Sequence, residues 1–259
     1  SAETRPLHES AAAGEWLVPL KSARRIAGIS SSAAEEFKGF AGMLAAQGLV
    51  GPEVEEIRLP ATTAPSWFTR TARATHSMPR IVVSGTREPH KNHDSVLYAA
   101  ERLWSEGLEF ELRLVGGNGW TDRHLGPAIT RIKAGKRSLV DLGRVSEEDL
   151  WNELADADAV VFLSLHEGYG LPVVEALAVG TPVLTTLYGS QGEIARDGGC
   201  LTADPRDEDS IVSALRRLVT EPELRESLAR EARERPRVSW DEYAAALWEF
   251  LVADLEVKP

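Results

Sequence analysis

Val161 to Leu184, VFLSLHEGYGLPVVEALAVGTPVL, decides how the rest of the chain is read. It opens as a continuous apolar run and breaks at a glycine-punctuated loop holding one glutamate. A short amphipathic segment with a second glutamate follows, then Gly-Thr-Pro and another apolar run. A buried strand, a loop, a helix and a second strand are the natural reading. The loop falls at the carboxyl end of the first strand, where open α/β sheets hold their ligands.

Outward from this stretch, the pattern alternates regularly from Arg80 onward. Strands are expected at Ile81–Gly85, Phe110–Gly116, Leu139–Gly143, Ala159–Ser164 and Pro182–Leu187. Helices are expected between them, at His93–Glu106, His124–Ala134, Glu147–Ala155 and Val173–Val179. Strands alternating with helices of about 10–15 residues indicate βαβ units, hence a parallel sheet covered on both faces. Two helices are expected within 207–235, opened by Asp207-Glu208-Asp209 and by Glu221-Pro222. A last helix, 239–255, starts at Ser239 with Glu242 at capping-box spacing.

Residues 1–62 read as helix (Leu7 to Lys21), strand (Arg24 to Ile29), helix (Ala33 to Gln47) and strand (Val54 to Leu59). Ser30, Ser31 and Ser32 offer N-caps for the second helix, with Glu35 and Glu36 expected in its first turn. This makes one βαβ unit, too little for a domain. Residues 63–79 form a Pro-, Thr- and Ala-rich linker carrying Trp67-Phe68, which is expected to anchor on a surface; 80–259 form the second, larger domain. The chain opens Ser1-Ala2 without an initiator methionine, which reads as an excised or processed segment of something longer.

At 259 residues the chain can bury a substantial core, and 43% hydrophobic with 27% charged residues is ordinary for a globular protein. Its net charge of −11 argues against a nucleic-acid or anionic-membrane surface, which needs clustered Lys and Arg. A single cysteine, Cys200, excludes an intrachain disulfide and suits a reducing compartment. No apolar run is long enough to span a bilayer as a helix.

In Glu167-Gly-Tyr-Gly-Leu-Pro172 the glycines permit close backbone approach and positive φ. Pro172 suits the first turn of a helix, whose free N–H groups form an anion site. Taken alone, this also describes a structural turn. Glu175 follows Glu167 with seven residues between and lies one helical turn behind the anion-binding end. A carboxylate there repels a contacting phosphate but can accept hydrogen bonds from both hydroxyls of a vicinal diol. Phosphate on the N–H groups and diol on the glutamate is the combination a nucleoside diphosphate offers. The bland alternative is a surface acid at 175 and a loop acid at 167.

His166–Leu184, HEGYGLPVVEALAVGTPVL, closely resembles the donor-site signature of the retaining GT-B glycosyltransferases grouped as family 4. The resemblance extends over Ile81 to Leu255. Ser84–His93 (SGTREPHKNH) is similar to the family's phosphate-binding loop, Leu114–Gly119 (LVGGNG) to its second glycine loop, and Leu142–Leu150 (LGRVSEEDL) to the segment lying against the base. Ser239-Trp240 resembles the opening of the helix that packs back toward the N-terminal part.

The resemblance implies a Rossmann-like donor-binding domain. Glu175 is then expected on the ribose and Glu167 on hydroxyls of the transferred sugar. The backbone of Gly168, Tyr169, Gly170 and Leu171 is expected to line sugar and diphosphate, with Thr86, Gly116, Arg144 and Val145 also at the donor. Lys91 is expected to be the principal cation on the leaving diphosphate, without a metal or other cofactor. Relatives place an arginine where this chain has Thr86, so Arg87 is the expected second phosphate contact, with His90 in reserve. The catalytic set is therefore Glu167, Lys91 and Arg87.

Other acidic and polar signals read differently. Asp156-Ala-Asp158 is expected at a helix end and strand start, not in a metal site. Asp207-Glu208-Asp209 fits helix capping, and Cys200 fits buried filler. His166 fits lining the site or packing beneath it.

Residues 1–62 resemble the tail of the family's N-terminal acceptor-side domain; two complete domains of roughly 150–200 residues each do not fit in the chain. The implied function is retaining transfer of a hexose from GDP-mannose, or second UDP-glucose, to a glycan or lipid-linked acceptor in polysaccharide assembly. It would take place in the cytoplasm, with any peripheral contact to the inner membrane face made through the missing N-terminal domain. The alternatives are a non-catalytic nucleotide-sugar-binding module and a sugar-nucleotide epimerase, against which the glutamate spacing argues.

Overall fold

The computed structural model describes residues 18–60, 63–69, 76–119, 125–236 and 238–252. The chain divides into two compact units, Ser1–Ala61 with Arg237–Pro259, and Thr62–Pro236. Of the helix expected over Leu7–Lys21, only 18–21 lie among the described residues, and they are helical. His124 and residues 253–255 of two other expected helices also lie outside them.

In the smaller unit, β1 (Arg25–Gly28) and β2 (Glu53–Glu56) pair in parallel through α1 (Ser31–Ala46). Ser30 is the N-cap, its hydroxyl accepting from Ala33 N at 3.0 Å. The helix therefore starts at Ser31, and Glu35 and Glu36 fall beyond the first turn in which they were expected. The last helix of the chain, Trp240–Leu251, returns to β1: the Arg25 guanidinium donates to Phe250 O at 2.7 Å and lies 5.7 Å from the Phe250 ring centroid. Its capping box is formed, with Ser239 and Glu242 bonding each other's backbone.

The larger unit is a six-stranded parallel sheet, in chain order β3 (Arg80–Ser84), β4 (Glu111–Val115), β5 (Leu139–Gly143), β6 (Ala159–Phe162), β7 (Val183–Thr186) and β8 (Cys200–Ala203). Its spatial order is β5-β4-β3-β6-β7-β8. Between the strands lie α2 (His93–Ser105), α3 (Leu125–Ala134), α4 (Glu147–Asp156), α5 (Leu171–Ala178) and α6 (Gly189–Ala195). After β8 come α7 (Glu208–Thr220), α8 (Pro222–Glu234) and, in the smaller unit, the final helix α9 (Trp240–Leu251). β6 and β7 are buried at every residue, as parallel strands covered on both faces must be. Ile81, Val83, Leu112, Leu114, Val161, Leu184, Leu103 and Leu215 are among the side chains forming one continuous core between sheet and helices.

The chain reverses its direction of travel across the sheet between β3 and β6, which makes their carboxyl ends the topological switch point. Asp156 and Asp158 lie at the opposite, amino edge. Asp158 Oδ2 accepts from Arg80 N at 2.7 Å, and Asp156 pairs with the Arg80 guanidinium. The expected anchoring of Trp67-Phe68 has a partner in Trp151 of α4, whose ring centroid is 5.9 Å from that of Phe68.

β8 and α6 were not expected from the sequence. A four-residue strand and a seven-residue helix with two glycines carry too little periodicity to be seen. Cys200 opens β8, and burial pushes its thiol up to about 12, which leaves it an inert packing group.

Several strands end earlier than the apolar runs do, because their last residues turn into loops. Gly85 (φ 131°) and Gly116 (φ 151°) adopt backbone that side chains rarely reach. A Cβ on Gly116 would lie 1.9 Å from Gly85 O, so the loops after β3 and β4 meet through a missing side chain. Gly116→Ala is expected to destabilise by about 2–4 kcal/mol and lower Tm by roughly 5–15 °C. Gly107→Ala, at φ 90° with nothing nearby, carries backbone strain alone and should cost about 1 kcal/mol. Equal losses in thermal melting would contradict the close-approach account.

Candidate functional site

The loops at the carboxyl edge are fastened to one another by backbone. After β3 the chain makes a 3-10 turn, Pro89–Lys91, and enters α2 through Asn92 in the left-handed region (φ 58°). The His90 carbonyl accepts from Leu165 N at 2.7 Å and from Ser164 Oγ at 2.8 Å, joining this loop to the one after β6. The Asn92 amide donates to Pro205 O at 2.9 Å, and Ser95 Oγ donates to Asn92 Oδ1 at 2.7 Å. Lys91 is thereby held between fixed points, its Nζ 2.5 Å from Glu167 Oε1 and 5.2 Å from the Phe162 ring centroid.

The loop after β6 is built to present backbone. Gly170 (φ 115°) is the N-cap of α5 and has no side chain with which to satisfy the helix end. The N–H groups of Gly170 and Leu171 have no hydrogen-bond partner among the described residues. They form a donor pair at the positive end of a helix. A Cβ at Gly170 would lie 3.2 Å from Gln191 Cγ and 3.4 Å from Ile194 Cδ1, so α6 sets the loop's depth. Tyr169 is buried, whereas Gly168 and Leu171 are exposed.

Three further residues hold this arrangement. Ser190 Oγ donates to Glu167 O at 2.9 Å, and Gln191 Nε2 to Ser164 O at 3.2 Å. Thr185 Oγ1 lies 2.9 Å from Gln191 Oε1. The sequence reading missed Ser164, Ser190, Gln191 and Asn92. Their one visible signal was Asn directly before a helix, which suits a left-handed residue.

Glu175 lies one turn into α5, half-buried, and its carboxylate makes no hydrogen bond or ion pair among the described residues. Burial, and secondarily Glu147 of α4, raises its pKa above the ordinary carboxylate value. A carboxylate held so, one turn behind the helix end, is able to accept hydroxyl donors.

The structure does not bring every expected residue to this point. Arg87 is buried, and its guanidinium pairs with Asp141 of β5 and donates to Asn118 Oδ1 at 3.0 Å. Its charge is thus met inside the protein, where it ties the loops after β3 and β4 to β5. His90, the reserve, sits 3.5 Å from Glu88 Oε2 with its pKa lowered by burial and by Lys91, so it is neutral near pH 7. His93 beside it is taken down to about 4 by burial and by the neighbouring Arg87 and Lys91.

Thr86 and Arg144 are exposed and Val145 is half-buried. Arg144 makes no ion pair among the described residues, and its Cβ lies 3.6 Å from where a Cβ on Gly117 would be. Gly116 faces Gly85. His166 is exposed, not packed beneath the loop.

Solved structures show the same fold. Sucrose-phosphate synthase from Thermosynechococcus elongatus superposes with a TM-score of 0.71 at 18% identity, over 96% of this chain and 62% of that one. The C-terminal domain of a glycosyl transferase group 1 family protein from Francisella tularensis gives 0.54 at 21% identity, over 60% of this chain and 83% of that one. The fold is that of the GT-B glycosyltransferases.

A family model described as "Glycosyl transferases group 1" matches residues 70–235, and the chain belongs to that family. It is 35% identical over 161 residues to an O-antigen chain mannosyltransferase B of Escherichia coli, covering 61% of this chain and 41% of that protein. It is 32% identical over 173 residues to an MMP alpha-(1->4)-mannosyltransferase of Mycolicibacterium hassiacum, covering 64% and 40%. The chain thus spans less than half the length of these relatives. No helix among the described residues is long and apolar enough to cross a membrane.

The raised pKa of Glu175 has a stability consequence. A carboxyl that binds its proton more tightly folded than unfolded favours the native state below its unfolded value, and this is lost as pH rises through the folded one. Glu175→Gln, which keeps the shape without the charge, should therefore melt above wild type at about pH 8, the two converging below the ordinary value of 4.5. A variant that melts below wild type at about pH 8 would mean that the carboxylate is stabilising as it stands.

Proposed function

We propose that this chain is the donor-binding half of a retaining glycosyltransferase that moves a hexose, mannose first, from a nucleoside diphosphate to a glycan or lipid-linked acceptor. The observation that carries the reading is one cluster. It consists of two N–H groups at the α5 end and, one turn behind, Glu175, all without partners among the described residues, with Lys91 on Glu167 beside them.

The diphosphate sits on the N–H groups of Gly170 and Leu171 and on Lys91. The ribose diol donates to Glu175, sugar hydroxyls donate to Glu167, and the backbone of Gly168 and Tyr169 lines the sugar. Arg144 and Val145 flank the base. Arg144, with no ion pair among the described residues, is taken as the second cation ahead of Arg87, whose guanidinium pairs with Asp141.

In the transfer step the bond from sugar C1 to the diphosphate oxygen breaks as the acceptor oxygen bonds to C1 on the same face. The acceptor's proton passes to a phosphate oxygen. Lys91 and the helix end stabilise the charge that develops on the leaving group, and no metal is required. The acceptor wall belongs to an N-terminal domain of which residues 1–62 are the tail, and the protein works in the cytoplasm. GDP-mannose is the first donor and UDP-glucose the second. The mannosyltransferase relatives support that order.

Calorimetry with GDP, UDP and ADP is expected to show one nucleotide binding without added divalent ion, and no binding to any of the three would remove the donor site. Glu175→Ala should weaken that nucleotide by about tenfold or more while leaving its 2′-deoxy analogue much less affected, since charge-assisted bonds contribute roughly 1.5–3 kcal/mol. Equal losses would remove the diol assignment.

A further inference from the structure

Lys91 and Glu167 meet at 2.5 Å with side chains 15% and 17% exposed, and the Phe162 ring lies 5.2 Å from the ammonium. In the donor site argued above, these two groups serve different parts of the ligand, Lys91 the diphosphate and Glu167 the sugar. They occupy each other before either part arrives. The backbone on both sides is pinned, at His90 O by Leu165 N and Ser164 Oγ, and at Glu167 O by Ser190 Oγ. Any exchange of partners therefore falls on the side chains, and a Glu167 that loses Lys91 stays largely buried.

That has unequal consequences for two ligands. A nucleoside diphosphate draws Lys91 away and leaves the Glu167 carboxylate buried, unpaired and next to phosphate charge, the most costly way to break an ion pair. A nucleoside diphosphate sugar draws Lys91 away too, but its hydroxyls donate to Glu167 in place of the ammonium. We propose that the Lys91–Glu167 pair is a charge latch that makes the site favour an intact sugar nucleotide over the spent nucleoside diphosphate. The proposal rests on the donor-site reading. After transfer the sugar leaves, Glu167 loses its donors and reclaims Lys91, and the diphosphate's hold is reduced to the N–H pair at α5. The latch thus couples loss of the sugar to release of the nucleotide, by the reciprocity that any such coupling obeys.

The test is calorimetry of GDP, GDP-mannose, UDP and UDP-glucose on the full 259-residue chain, for wild type, Glu167→Gln and Glu167→Asp. Gln removes the charge and keeps an acceptor for the sugar, whereas Asp keeps the charge. In Glu167→Gln the nucleoside diphosphate should bind at least about fivefold more tightly than to wild type, while the sugar nucleotide gains nothing, so that selectivity shrinks. Glu167→Asp should show no such tightening. Diphosphate affinity unchanged or weakened in Glu167→Gln, or tightened equally in both variants, overturns the latch alone. Wild type that binds none of the four ligands overturns the donor-site reading and the latch with it. Thermal melting of each variant separates a binding change from a folding one, and Glu167→Ala, also uncharged, should repeat the Gln result if Gln folds poorly.

Discussion

Two hydrogen bonds to one carbonyl, that of His90, join loops that are more than seventy residues apart in sequence. Leu165 N and Ser164 Oγ both donate to it, and the turn that carries Lys91 is thereby set against the loop that carries Glu167. Polar backbone buried at a strand end must find partners, and here the partner of each loop is the other loop. The geometry of the site follows from that constraint more than from its charged residues. Lys91 reaches Glu167 because their backbones are already fixed, and Ser190 and Gln191 of α6 fasten the second loop from its far side.

The electrostatics at this edge are uneven. Of the cations at these loops, Arg87 is consumed by Asp141 and Lys91 by Glu167, while Arg144 makes no ion pair among the described residues. Of the carboxylates, Glu167 is paired and Glu175 is half-buried without a hydrogen bond among the described residues, its pKa raised by that burial. A folded protein that was optimised for stability alone would neither leave a carboxylate in that state nor end α5 on a glycine without a capping side chain. Both features cost stability in the ligand-free protein and become favourable once hydroxyl donors and an anion are supplied. They sit one helical turn apart, the separation on which the proposed nucleoside diphosphate site relies.

Much of this was legible in the sequence, for reasons that can be traced. The doubly covered parallel sheet followed from apolar runs such as AVVF and from the periodic helices between them, because burial on both faces leaves no other pattern. The spacing of Glu167 and Glu175 across a Gly-x-Gly and a proline placed both carboxylates and the helix end before any coordinates did.

What the sequence left hidden is tertiary. Arg87 was expected as a phosphate contact because it follows the position where relatives carry an arginine; its pairing with Asp141 of another strand is something no local pattern predicts. β8 and α6 are too short for periodicity to register, and α6 nevertheless carries the Ser190 and Gln191 that hold the Glu167 loop. Glu35 and Glu36 missed the first turn of α1 because Ser30, not a later serine, is the cap, a choice made by side-chain geometry.

The most direct test of the central claim is a crystal structure of this chain grown with GDP and, in parallel, with GDP-mannose. Phosphate density should lie within hydrogen-bonding distance of the Gly170 and Leu171 N–H groups and of Lys91 Nζ, with the ribose hydroxyls on Glu175. With GDP-mannose, Glu167 should have exchanged Lys91 for sugar hydroxyls. A nucleotide bound elsewhere, with Lys91 still on Glu167 and nothing within reach of Glu175, would contradict the account.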